Sequence, residues 1–254
     1  MRTAAEGPAF GRAVTAVVLE YDCGPYQSGR SSNDGSRMLK QPAWPYIAEQ
    51  LRALGFRKRA GEVYTTELGE DLLGWIGLNR ATKYTGVGEY EVNPVIGIRH
   101  QRVEKMVADL RGDKFHAYLP PTISSPLGYL MPEARYRQWL VTSSVRPAGA
   151  GELIADIEHY APPFLNSAPT LTDLCELMDQ RIGIEDQLVY RRPVAWMLAG
   201  RPRHAASLLD RTETDLGSRD DPAALQLRNF ISAFRQRLGG PTSETQSGPP
   251  RAVD

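Results

Sequence analysis

Strand-like apolar runs lie only before Gly151 in this chain, while beyond it every apolar stripe takes a helical spacing, and that difference restricts the architectures open to it. The runs are short and bounded by Gly, Asn or charged turns: EVYTTEL (62–68), LLGWIGLNR (72–80) and VNPVIGIRH (92–100). Their β-branched and aromatic content reads as strands. After Gly151 the apolar stripes take a helical period, as Leu153, Ile157 and Tyr160, then Leu171, Leu174, Cys175, Met178 and Ile182, then Ala224, Leu227, Phe230, Ile231, Phe234 and Leu238. Those are faces of amphipathic helices. Strands first and helices afterward predict an α+β protein: a small antiparallel sheet with covering helices, followed by a mostly helical C-terminal half.

Local signals bound the elements further. Ile47, Ala48, Leu51 and Leu54 lie at helical spacing, with Gly55 as a stop, and predict an amphipathic helix over 44–54. The three strand-like runs are expected to form a meander, with Gly86-Val87-Gly88-Glu89 as a hairpin turn. Gly74, Gly77 and Gly97 inside those strands mark a bulge or a close backbone approach by the helix. Val103, Met106, Val107 and Leu110 predict a helix over 102–110 that covers part of the sheet, and a second strand pair is expected at 128–131 and 136–142. Farther on, Pro193 opens and Gly200 closes the first helix of a hairpin whose second helix starts at Pro202. The last helix has Asp221 as N-cap, Pro222 at its first position and Gly239 after its end.

The two ends carry little to bury. GPYQSGRSSNDGSR (24–37) has no aliphatic side chain, and ten of the sixteen residues of GGPTSETQSGPPRAVD (239–254) are Gly, Pro, Ser or Thr. The expected division is a disordered or loosely docked segment over 1–37, the sheet with helices over 38–150, the helical half over 151–238, and a disordered tail over 239–254. Val14–Tyr21 is the one early stretch that could dock as a strand, and translation from Met38 is the competing reading of the same region. Two cysteines, Cys23 and Cys175, are too few for a disulfide framework, which fits a reducing cytoplasm. No run approaches the length of a membrane span. Twenty-five Arg against five Lys fit a GC-rich bacterial genome.

The stretch 44–110 resembles an uncharacterised bacterial domain-of-unknown-function family. The shared features are the opening helix, Leu51, Leu54, Gly55 and Phe56 followed by Arg57, Lys58 and Arg59, and then the short meander. Relatives of that kind occur among bacterial interaction and toxin-immunity proteins, so the resemblance implies a binding module more than an enzyme. It assigns no functional residue. The hairpin around Ala199 and Gly200 is similar to a single tetratricopeptide-type unit, but no second copy stands at the required period, so it is read as an ordinary helical hairpin.

A search for chemistry finds no G-x-x-x-x-G-K-[ST], G-x-G-x-x-G, H-E-x-x-H, C-x-x-C or G-x-S-x-G. The best-spaced constellation is Glu152, Asp156 and His159 at i, i+4 and i+7, opposite the Leu153, Ile157 and Tyr160 stripe. Such a triple can offer two carboxylates and an imidazole to a divalent ion. A solvated helix face explains it as well, and neither metal nor other cofactor is expected. Cys175 lies on an apolar stripe and reads as core packing, so that pairing with His100 or His116 is not favoured. Two basic clusters remain: Arg57, Lys58 and Arg59, and then Arg191, Arg192, Arg201 and Arg203 with His204 beside two helix starts. The second is the candidate site for an anion or an acidic partner surface. Tyr84, Tyr90, Tyr118 and Tyr129 lie in or near loops, where aromatics suit recognition.

Thirty basic and thirty acidic side chains cancel, so no global field draws the chain to nucleic acid or to an anionic membrane. The function that ranks first is a non-catalytic protein-interaction module, immunity-like in the sense of the resemblance, with another protein as partner. Second is an enzyme of unrecognised family using Glu152 or Asp156 in a cleft between sheet and helices. Nucleic-acid binding through the arginine clusters ranks below both.

Overall fold

The computed structural model describes residues 43–81, 88–142 and 149–239. The expected strand at Val14–Tyr21, the turn at 82–87 with Tyr84, and the tail beyond Gly239 lie outside those residues. The chain opens with helix α1 (Ala43–Ala53), which buries Trp44, Ile47 and Leu51 and stops at Gly55, whose φ of 89° is the left-handed region open to glycine. A two-residue strand β1 (Arg57–Lys58) leads into the meander β2 (Val63–Gly69), β3 (Leu72–Ala81) and β4 (Glu89–His100). Every pairing is antiparallel, and the register sets Ile76 opposite both Tyr64 and Ile96. Helix α2 (Gln101–Arg111) follows without a break, its first turn capped by His100, whose ring Nδ1 accepts from the Val103 N–H.

The second strand pair departs from expectation. Ile123–Pro126 is the strand (β5), and Leu127–Leu130, where a strand was expected, is a single helical turn (α3). Neither β5 nor β6 (Trp139–Thr142) pairs with the other; both pair with β4. The physical reason is length. β4 has twelve residues, so its outer edge takes β5 along 95–98 and β6 along 89–92, and this edge recruits Ser124 and Ser125 despite their low strand preference. The sheet order is β1-β2-β3-β4-β5, with β6 also on β4.

The C-terminal half consists of α4 (Ala150–Leu165), α5 (Leu171–Asp179), α6 (Glu185–Leu198), α7 (Pro202–Leu216) and α8 (Pro222–Gly239). With the sheet before it, this is the α+β architecture that strand-like runs followed by helical stripes predict. Helix α6 begins eight residues before Pro193, which lies inside the helix instead of opening it. Proline in a helix forfeits one backbone bond. Here the burial of Leu188, Tyr190, Val194 and Ala195 on either side holds the helix together. Asp221 caps α8, its Oδ1 accepting from the Ala224 N–H, and Phe230, Ile231 and Phe234 of its stripe are buried.

One hydrophobic cluster includes the sheet face bearing Ile76, Leu78, Val92, Ile96 and Ile98 together with residues of α1, α4, α5, α6, α7 and α8. Alternation places Trp75, Asn93, Val95, Gly97 and Arg99 on the other face, and they too are closed off from solvent. Over the end near Arg99 the cover is the segment joining α2 to β5, residues 112–122, which crosses the sheet as a strap. The strand glycines serve close approaches. A Cβ on Gly97 would stand 2.6 Å from Pro121 of the strap, and one on Gly77 2.2 Å from the Trp75 ring. The bulge lies elsewhere, between Glu67 and Gly69.

Candidate functional site

The strap is tied to the sheet by an arginine. Arg99, near the end of β4, is 0% exposed, and its guanidinium reaches under the strap to donate to three backbone carbonyls, those of His116, Ala117 (3.1 Å) and Pro120. Burying a guanidinium costs several kcal/mol, on the order of what desolvation of any ion demands, unless its donors are engaged. Burial holds the Arg99 guanidinium down to about 10, below the usual arginine value.

Further contacts fix the strap at its middle and end. Trp75 Nε1 donates to Tyr118 O at 2.9 Å, and the Thr122 N–H donates to Ile98 O at 2.8 Å. Thr122 Oγ1 accepts from the His100 N–H (2.9 Å) and donates to Glu104 Oε1 (2.8 Å). Glu104, on α2, is itself buried and receives Arg191 of α6 through Nε at 2.8 Å and Nη2 at 3.2 Å. Arg191 Nη1 adds a bond to Thr122 O, and Arg99 Nη1 stands 3.8 Å from Glu104. Strand, strap, α2 and α6 thus meet in one buried polar network of two guanidiniums and one carboxylate.

What the strap presents outward is His116, Tyr118 (37% exposed) and Leu119 (41%). Arg59, just beyond β1, lies against Tyr118 with its guanidinium carbon 4.2 Å from the ring centroid, and its Nε donates to Thr65 Oγ1 at 2.8 Å. Arg57, Arg59 and Lys58 therefore do not act as one cluster, for Lys58 pairs with Glu62 (3.3 Å). A shallow hollow beside Tyr118 is lined by Arg59, Val63, His116 and Leu119, and a second by Gly55, Arg57, Arg59, Thr66 and Glu67.

The other basic cluster divides. All three nitrogens of Arg191 are spent inside the network, and Arg192 is committed to Asp179 Oδ1 through Nε (3.0 Å) and Nη2 (2.7 Å). Arg201 and Arg203 are exposed. His204 packs edge-on to Trp196, 4.9 Å between centroids, and 4.0 Å from Asp179. The four arginines thus share no single surface, because Arg191 turns toward the core.

Glu152, Asp156 and His159 lie on α4 as the spacing requires, but the two carboxylates meet Arg137: Glu152 accepts from its Nη2, and Asp156 stands 3.6 Å from Nη1 while also accepting from Trp139 Nε1 at 2.8 Å. His159 is exposed and lies edge-on to Tyr160. Among the described residues no group of three or more His, Cys, Asp or Glu side chains is placed to hold a metal ion. Cys175 is fully buried, and burial pushes its thiol up to about 12, aided by Asp179 and Glu176. Tyr90 packs edge-on against Trp44, and Tyr129 is half-buried.

Sequence reasoning missed Arg99 and Glu104. The available signal was an arginine at a strand position whose neighbours are apolar on both faces, followed by a loop, KFHAYLPPT (114–122), rich in aromatic and proline residues. No protein-family model, curated protein or solved structure matches the chain. No helix among the described residues is long and apolar enough to cross a membrane.

Proposed function

We propose that the chain is a non-catalytic protein-binding module that recognises its partner through the strap over 112–122. The observation that carries this reading is Arg99: a fully buried guanidinium whose donors go to strap carbonyls holds His116, Tyr118 and Leu119 outward in one arrangement. A loop ordered in advance loses less entropy on binding, and loops on rigid scaffolds are where recognition residues concentrate. An exposed tyrosine beside an arginine and a leucine is the composition of interface hot spots. The two carboxylates favoured by the enzyme reading are engaged by Arg137 and Trp139, so no observation promotes that alternative. Membership of the uncharacterised bacterial family resembled over 44–110, an immunity-like role and a place in the cytoplasm belong to the same proposal, supported by the motif and by the scarcity of cysteine.

The test is site-specific photo-crosslinking in the native host, with a benzophenone side chain at position 118 and, as control, at Leu225, which is 50% exposed on α8. The expected result is one polypeptide captured at 118, not at 225, and lost when Arg99→Leu frees the strap. Equal capture at both positions, or none at 118, would sink the reading.

A further inference from the structure

Arg59 is held so that half of its guanidinium remains unused. Its backbone N–H donates to Val63 O at 2.8 Å, and its Nε donates to the hydroxyl of the fully buried Thr65. The guanidinium is stacked on Tyr118, whose own carbonyl is gripped by Trp75. Root, plane and support are thereby fixed, while Nη1 and Nη2 have no hydrogen-bond partner and no carboxylate among the described residues. Arg57, two residues earlier and so on the same side of the edge strand, also has no carboxylate partner there.

The geometry points to Arg59 as the receptor for an aspartate or glutamate side chain of a partner protein, with a neighbouring apolar side chain of that partner seated against Leu119 and Val63. This rests on the strap being the binding surface. A carboxylate matches two parallel N–H donors of a guanidinium, and a fork oriented beforehand loses little freedom in making both bonds. Stacking on an aromatic ring leaves the edge of the guanidinium free for that contact. Of the two hollows that Arg59 joins, the second contains Glu67, which repels an incoming acid, whereas the first contains no carboxylate and is lined by Val63, Leu119 and Ala60. The acid therefore enters from the Tyr118 side.

The experiment selects binders to the full chain from a library of random peptides displayed as internal segments, so that no free C-terminal carboxylate is offered. Selected peptides are resynthesised with blocked ends and titrated by calorimetry. The expected consensus is an acidic residue beside Leu, Ile or Val. Changing that acid to its amide in the peptide, or Arg59→Gln in the protein, should each weaken binding about tenfold or more, and the two together no further than either alone. Arg59→Lys, which keeps the charge and loses the fork, should bind as poorly as Arg59→Gln. Losses that multiply, full recovery with lysine, or a consensus without acid would overturn the inference. The peptide-side change needs no protein variant, so a variant that fails to fold does not remove the test. If binding is lost with Tyr118→Leu yet indifferent to Arg59→Gln, the carboxylate receptor falls and the strap surface stands. If no selected peptide responds to Tyr118→Leu or Leu119→Ser, or none is selected, the surface falls and the inference with it.

Discussion

Replacing Glu104 with leucine should be among the most damaging single changes available to this protein. Glu104 is 6% exposed and is the carboxylate that faces Arg191 (4% exposed) and Arg99 (0%). It accepts hydrogen bonds from Arg191 Nη2 and Thr122 Oγ1 and forms an ion pair with Arg191 Nε at 2.8 Å. Taking each charge-assisted bond at about 1.5 to 3 kcal/mol and adding them overstates the sum, because contributions within one shared network are not additive. The better guide is the cost of leaving a buried charge without its partner, about 3 to 5 kcal/mol. Here two guanidiniums would face one another across the vacated space, which favours the upper part of that range. Glu104→Leu combined with Arg191→Leu removes one of the two and should cost at least about 1.5 kcal/mol less than the sum of the single changes, the coupling expected of groups in one buried network. Urea denaturation followed by tryptophan fluorescence measures all three variants, with midpoint differences read at constant slope. A loss below about 1 kcal/mol for Glu104→Leu, or strict additivity in the double variant, would refute the view that this network carries charge through the core.

Other outcomes rest on single buried side chains and close contacts. Burial lowers the His100 pKa from its ordinary value, and the ring caps α2 only while Nδ1 is unprotonated, so below about pH 6.5 the unfolded chain takes up the proton more readily than the folded one. Stability present above that pH should therefore be lost as pH falls through the folded-state pKa, and His100→Asn, a good cap that does not titrate, should flatten the pH 7 to 5 portion of a denaturation series. Gly77→Ala would thrust a methyl into the Trp75 ring and should cost about 1 to 3 kcal/mol while loosening Trp75 from Tyr118 O, seen as faster amide exchange in the strap. Cys175, fully buried with its thiol pushed up to about 12, should resist iodoacetamide in the native protein and react on unfolding, as peptide mass spectrometry would show; ready native labelling would contradict the core placement. Phe230→Ala should destabilise by about 3 kcal/mol or more, since Phe230 is 1% exposed and packs against Tyr190 and Phe234, whereas Arg235→Ala, an exposed position paired with Asp210 and Glu213, should change the denaturation midpoint little.

Where a side chain faces only its own element's neighbours, the sequence carried the structure closely. Strands β2, β3 and the C-terminal part of β4 fall within a residue or so of the runs at 62–68, 72–80 and 92–100, because short β-branched and aromatic runs between Gly, Asn or charged turns mark strands. Helices α1, α2 and α8 stand out by apolar stripes at helical spacing. Legibility ended where a partner decided the outcome. Ser124 and Ser125 form strand because the long edge of β4 is there to pair with them, and α6 runs through Pro193 because its flanks are buried. Asp221 as the α8 cap was readable, being an interaction across three residues.

The candidate site lies at the far end of that scale. Glu104 and Arg191 are 87 positions apart, and Arg99 meets the strap carbonyls 17 to 21 positions on, so no local pattern joins them. One trace nevertheless survives in the sequence. A sheet covered on one side alone alternates apolar with polar, whereas VNPVIGIRH is apolar at positions of both parities and is buried throughout from Val92 to His100. A strand of that kind requires a second cover, and the cover near Arg99 is a loop, not a helix. Backbone in a loop brings carbonyls that no strand satisfies, so a donor must rise from the sheet to meet them. Arg99 is the donor in reach, and Gly97 beside it has no side chain to hold Pro121 away. The buried charge of Arg99 is then neutralised from the other side by Glu104, and Glu104 is anchored by Arg191. Each feature of the network follows from the one before it, beginning with a strand too apolar to leave either face in water.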